Sequence, residues 1–240
     1  MSLLVLEGVT KTYIRGRREL VALREVSLEL DPGEIVGVWG RRFSGRTTLL
    51  RIAGGLERPD AGCVELEGVD LAGRRSRDVR RHVAFCHLAF SPTHAERVVE
   101  HVAVPLLASG VRLDRACQRA HAMLDRLGAA GCAELRPHEL DHAELVRVAI
   151  ARALLPEPQL LLVDEPANGV GLLDRDPMLT VLRGVAKEQG AAVLMTAAET
   201  TALTGVDRAL SLSCGELRGE TVPSAGAVVP FRRRSVGSSS

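Results

Sequence analysis

The chain has 240 residues, 46% of them hydrophobic and 25% charged, with a formal net charge of +1. That length suits one α/β domain with a sizeable core and a small subdomain. A near-zero charge and 2% aromatic content argue against nucleic acid as a partner, since such surfaces need a basic footprint or stacking platforms. The five cysteines are scattered singly with no C-x-x-C pair, which points to reduced thiols in a cytosolic protein rather than disulfides or a zinc site. The start, MSLLVLEGVTKTY, has no charged region ahead of an apolar core and does not read as a signal peptide. No apolar run reaches the ~18 residues needed to span a membrane, so a membrane role would act through a partner.

β-like stretches at 3–9 and 20–30 open the chain, and the second ends in the turn signal Asp31-Pro32-Gly33. The apolar run EIVGVW at 34–39 predicts a buried strand. It leads into GRRFSGRTTLL at 40–50, with a helix expected over 47–53. Turns flank an alternating strand within 57–70, and HVAFCH at 82–87 predicts another short strand. From 95 to 127 the period turns helical, through Val98, Val102 and Leu106, then Leu113, Cys117, Ala120, Leu124 and Leu127. These positions read as the core faces of a helical subdomain. A helix over 141–154, the strand QLLLV at 159–163, a helix over 178–189 and strands at 191–196 and 208–212 follow. Strands alternating with helices indicate an α/β core. No internal repeat is visible, and the Gly-, Ser-, Pro- and Arg-rich tail from 220 to 240 has the composition of disorder.

The stretch 40–50 has the spacing of a phosphate-binding loop, G-x-x-x-x-G-K-[ST], with Gly40, Gly45 and Thr47 in place and Arg46 where lysine belongs. Its context, strand then glycine loop then helix, is the one such a loop requires. Lys11 and Lys187 are the only lysines, so no nearby lysine substitutes for the missing one. A second candidate site is the carboxylate pair Asp164-Glu165, which ends an apolar strand and precedes Pro166.

Together these residues resemble the ATP-binding subunit of ABC transporters. The resemblance runs from residue 3 to about 217 and is carried by ALREVSLELDPGEIVGVWG, TTLLRIAGGLERPDAG, VVEHVAVPL, RVAIARALLPEPQLLLVDEP and AAVLMT, in the family's order. It is nearest to the group serving lipoprotein export, macrolide export and cell division. It implies a P-loop α/β core with an antiparallel β subdomain and a helical subdomain at about 88–146, within a nucleotide-binding domain spanning 1–219. It also implies ATP and Mg²⁺ as cofactors and a membrane-spanning permease as partner. A second ABC subunit would complete two shared sites, and the chain would lie on the cytoplasmic face of the membrane.

Carried over residue by residue, Tyr13 matches the aromatic that stacks on adenine. Gly40, Ser44, Gly45, Thr47 and Thr48 keep the loop's backbone nest, which attracts phosphate whatever the side chains are. Thr47 and Asp164 match the Mg²⁺ positions, and Glu165 matches the residue that polarises the attacking water. Other positions depart from the pattern. Arg46 keeps a charge but is planar and bulkier than lysine, so it cannot sit between two phosphates in the same way. Phe43 stands where a small residue is usual and is expected to push the loop off its tightest path. His87 stands at the family's glutamine and is either a hydrogen-bonding substitute or an ordinary strand-end histidine. Ala198 stands at the switch histidine and has no polar group.

The signature, normally L-S-G-G-Q, reads Leu140-Asp141-His142-Ala143-Glu144. In the family this segment grips the terminal phosphate of the partner's ATP. Asp141 puts a negative charge there, and like charges about 4 Å apart repel by on the order of 4 kcal/mol at an effective dielectric near 20. Asp141 and Glu144 are also suited to cap a helix as a capping box. The aspartate of the loop after Asp164-Glu165 aligns either with Gly171 or with Asp174.

Binding rests on the nest and on stacking, which remain, whereas each lost transition-state donor costs roughly 10²–10³ in turnover. The expected activity is therefore ATP binding with weak or absent hydrolysis. The rival expectation is a structural or regulatory subunit that no longer binds nucleotide. A third is a fully active ATPase with unusual residues.

Overall fold

A computed structural model of the chain describes residues 1–16, 18–73, 81–86 and 97–220. Among these, ten strands and five α-helices are present. β1 (Leu4–Arg15) and β2 (Arg18–Leu30) form a long antiparallel hairpin. β4 (Ala61–Leu66) and β5 (Val69–Asp70) extend it into a four-stranded antiparallel sheet of order β2-β1-β4-β5. The segment read as one alternating strand over 57–70 is thus two strands joined by a turn at Glu67-Gly68, both with positive φ. β1 runs to Arg15 rather than stopping at Val9, because β2 stays paired with it to the hairpin's end.

The second sheet has six strands, β3 (Ile35–Trp39), β6 (Val83–Cys86), β7 (Leu160–Val163), β8 (Ala192–Ala197), β9 (Arg208–Ser213) and β10 (Glu216–Glu220). Their order is β10-β9-β3-β8-β7-β6, parallel except for β10, which folds back antiparallel on β9. Both faces of this sheet are covered, which is why its strands read as continuous apolar runs. Leu160 and Leu162 face one core cluster while Leu161 and Val163 face the other, and Leu194 and Val193 divide the same way.

One core is closed by the antiparallel sheet and by α1 (Arg46–Ala53), whose Leu49, Leu50 and Ile52 are almost fully buried between the sheets. The other is closed by α2 (Val98–Ala108), α3 (Leu113–Arg126), α4 (His142–Leu154) and α5 (Leu172–Gln189). The helical region expected from the periodicity is present, with one correction. Leu113 opens α3 and is 55% exposed, while the buried face runs through Ala116, Ala120, Met123 and Leu124. α5 starts six residues before the expected 178 because Pro177 removes one backbone bond without ending the helix. β10 carries no strong apolar pattern, and Glu220, expected as the first tail residue, is its last residue. Residues 221–240 lie outside the described region.

Candidate functional site: the loop between β3 and α1

β3 delivers the chain at Gly40, and the loop returns as the first turn of α1. Two glycines are dictated by packing. A Cβ at Gly40 would lie 2.3 Å from the Leu212 carbonyl oxygen. At Gly45, φ is 107° and a Cβ would lie 2.1 Å from the Ala22 carbonyl oxygen. The backbone therefore passes tightly under β2 and β9, and only glycine fits either place. α1 begins with no side-chain cap and no acidic residue in its first turn, so its N-terminal N–H groups and the positive end of its dipole face the loop.

Phe43 is the residue expected to push the loop off its tightest path. It takes the left-handed conformation at φ 68° and turns its ring out to solvent, 86% exposed. Arg42 lies over that ring, 5.2 Å from its centre. The Ser44 N–H still donates to the Arg41 carbonyl at 3.1 Å, so the turn closes beneath the ring.

The guanidinium of Arg46 is 94% buried by its 6% exposure, and its Nη2 donates to Glu165 Oε1 at 2.6 Å. Arg46 Nη1 and Ser44 Oγ are buried and, among the described residues, have no hydrogen-bond partner. Buried donors of this kind are rare and costly, at about 1–3 kcal/mol each, unless a ligand completes them. They line a cleft of about 330 Å³ with Tyr13, Thr47, Thr48 and Glu165. Tyr13 forms one wall, with its hydroxyl 3.3 Å from Thr48 Oγ1. Partial burial holds its phenol above the usual range.

Asp164 and Glu165 end β7 beside this cleft. Thr47 Oγ1 donates to Asp164 Oδ2 at 2.9 Å. Thr196, fully buried in β8, donates to Asp164 Oδ1 at 2.7 Å and accepts the Glu165 N–H at 3.0 Å. Thr196 is the positioning residue that sequence reading missed. Its only signal was a hydroxyl at the end of the otherwise apolar run AAVLM. The Thr47 and Asp164 oxygens are 2.9 Å apart, the spacing of neighbouring ligands about 2.0–2.1 Å from a Mg²⁺ ion, so this donor set fits the ion.

On the far side of Glu165 lies a hollow of about 140 Å³, bordered by Asn168, Ala198 and Glu199. Asp141 lies outside the cleft, as the N-cap of α4. It accepts the Glu144 N–H at 2.8 Å, and the Glu144 side chain accepts the Asp141 N–H at 2.9 Å, closing the capping box. The next residue, His142, places Nε2 2.8 Å from the Asn168 carbonyl oxygen, so the start of α4 is tied to the loop after β7. Gly171 caps α5 and Asp174 lies within it. His87 lies outside the described residues. The structure thus gathers Tyr13, Ser44, Gly45, Arg46, Thr47, Thr48, Asp164 and Glu165 at one end of the parallel sheet, with Gly40 at the entry to the loop.

An open α/β sheet with a strand–glycine loop–helix cradle and a carboxylate pair on a neighbouring strand end defines a P-loop nucleotide-binding fold. The profile of the family described as ABC transporter matches residues 23–168. The lipoprotein-releasing system ATP-binding protein LolD of Maricaulis maris is 38% identical over 218 residues, covering 89% of this chain and 95% of that protein. The methionine import ATP-binding protein MetN 4 of Oceanobacillus iheyensis is 33% identical, covering 88% of this chain and 63% of that protein. The solved structure of the dimeric ATP-binding cassette MJ0796, bound to ADP and Pi, has a TM-score of 0.82 at 26% identity, covering 91% of this chain and 97% of that one. The chain belongs to the ABC transporter family, as an ATP-binding domain of that family.

Proposed function

We propose that this chain is the ATP-binding subunit of a transporter of the lipoprotein-releasing type, holding ATP with Mg²⁺ in a degenerate loop and hydrolysing it weakly or not at all. The observation that carries this reading is the 2.6 Å ion pair between Arg46 and Glu165. A carboxylate that polarises water must keep its charge free. Here its charge is matched by a guanidinium in the loop that should hold phosphate. The cradle itself supports binding, since the helix N-terminus is open and two buried donors await an acceptor. Thr47 and Asp164 would hold Mg²⁺, which offsets phosphate charge when bound. The Ala198 position offers nothing polar to a terminal phosphate, and Asp141 spends its carboxylate on capping.

The domain would span 1–219 with its helical subdomain at about 88–146. It would lie on the cytoplasmic face of the membrane against a permease. In support, no helix among the described residues is long and apolar enough to cross a membrane. Pairing follows from the same residues. In a homodimer both shared sites would join an Arg46 loop to an Asp141 signature. With an intact second ABC subunit each site carries one altered half, so a heterodimer is the better arrangement. Mass measurement of the complex co-expressed with its membrane partner, with and without ATP, decides this. Two copies of this chain closing on ATP without a second subunit would refute it.

Calorimetry with ATP and Mg²⁺ tests binding. Weak binding that Arg46→Ala weakens further is expected. No heat at millimolar ATP would instead favour the rival, a structural or regulatory subunit without nucleotide, which the self-paired Arg46 and Glu165 also suit.

A further inference from the structure

We infer that the cleft selects a nucleoside diphosphate over a triphosphate, because the Arg46–Glu165 pair walls off the place a third phosphate would take. This rests on the reading above that the cleft binds nucleotide. The donors left open beside the loop are Ser44 Oγ and Arg46 Nη1, together with the first N–H groups of α1. They suit one phosphate group: its non-bridging oxygens can accept from a hydroxyl, a guanidinium and backbone amides. The other guanidinium nitrogen, Nη2, is turned to Glu165, to which it donates at 2.6 Å.

Glu165 borders both the loop cleft and the hollow beyond it, so the ion pair stands between the two spaces. The hollow cannot welcome an anion. Its border holds two carboxylates, Glu165 and Glu199, and among the described residues no basic one. The alanines 167, 197, 198 and 202 make up much of the rest. A chain of two phosphates lying along the loop ends at the open donors. A third would have to break a 2.6 Å charge-assisted bond whose guanidinium is buried and then sit among carboxylates. Like charges at such contact distances repel, the more so where protein screens them less than water does. The pair therefore acts on ligand choice, beyond disarming Glu165.

The test is calorimetric titration of the full chain with ADP and with a non-hydrolysable ATP analogue, each with Mg²⁺ and with a chelator. ADP is expected to bind at least about tenfold more tightly in both conditions. Glu165→Gln removes the charge that holds Arg46 and should tighten the analogue about tenfold more than it tightens ADP. Glu199→Gln, on the exposed rim, should narrow the gap in the same direction without touching the ion pair. Analogue binding as tight as that of ADP in the parent protein would overturn the inference and leave nucleotide binding standing. A gap unchanged by both substitutions would also overturn it. Absence of binding by either nucleotide would remove the binding reading and this inference with it.

Discussion

At the scale of single residues, Arg46 and Gly45 carry opposite lessons. Gly45 is held by the fold itself: φ is 107° and the Ala22 carbonyl occupies the space of any Cβ. Gly45→Ala should cost about 2–4 kcal/mol in urea unfolding, through strain and displacement of β2. A loss below about 0.5 kcal/mol would show that the loop relaxes around a methyl group. Arg46 answers to electrostatics instead. Its guanidinium reaches Glu165 with one prong, Nη2, and leaves Nη1 without a partner among the described residues. Arg46→Lys should nevertheless leave turnover near background. Ala198 and Asp141 each still lack a donor, and one such donor is worth roughly 10²–10³. Phosphate-release kinetics would check this, and brisk hydrolysis by the lysine variant would show that the loop alone sets the rate.

Among the elements, α4 shows how a helix can be kept while its end changes use. Asp141 and Glu144 satisfy each other's backbone N–H groups, so the segment proposed as the signature is a sound helix start with its carboxylate turned to its own amides. Asp141→Ala should destabilise the chain by about 1 kcal/mol, and Asp141→Ser by much less, because serine also caps. Equal thermal midpoints for the two variants would argue that the cap contributes nothing. The bond from His142 to the Asn168 carbonyl adds a second role for this helix end, joining it to the loop after β7. The helix periods and most strand positions could be read from the chain, since their apolar spacing is local. The start of α5 and the strand β10 could not, because Pro177 is a poor helix signal and β10 is made by pairing with β9.

Across the whole molecule, stability rests on two cores that share the parallel sheet. Cys86 ends β6 inside the helical-side core, and complete burial pushes its thiol up to about 12 from 9.0. In the unfolded chain the thiol ionises near 9.0, whereas in the folded chain it stays protonated until about 12. Its contribution is intact below the lower value and erodes as pH rises through that window. Stability measured by urea unfolding should therefore fall more steeply above pH 9.0 than in Cys86→Ala. Parallel alkaline slopes for the two proteins would count against a deeply buried thiol. Thiol labelling offers a further check, since exposed Cys214 should react in the native state well before Cys86.

The sequence by itself determined the alternation of strands and helices, the strand–loop–helix cradle and the carboxylate pair on its strand end. Each of these is written in local spacing: a period of two or 3.6, glycines at fixed intervals, a charged pair after an apolar run. Read against the family it resembles, it also marked Arg46, Asp141 and Ala198 as the expected departures, because a motif is a pattern of residue types. The tertiary structure alone decided what those departures touch. Arg46 and Glu165 are far apart in the chain, and only the fold, which brings the first turn of α1 to the loop that follows β7, places them 2.6 Å apart. Thr196 reaches Asp164 only because β8 is the parallel neighbour of β7. Phe43 turns its ring to solvent from a left-handed backbone position. Side-chain partners across a parallel sheet depend on strand order, which crossover connections set at long range and no local pattern encodes.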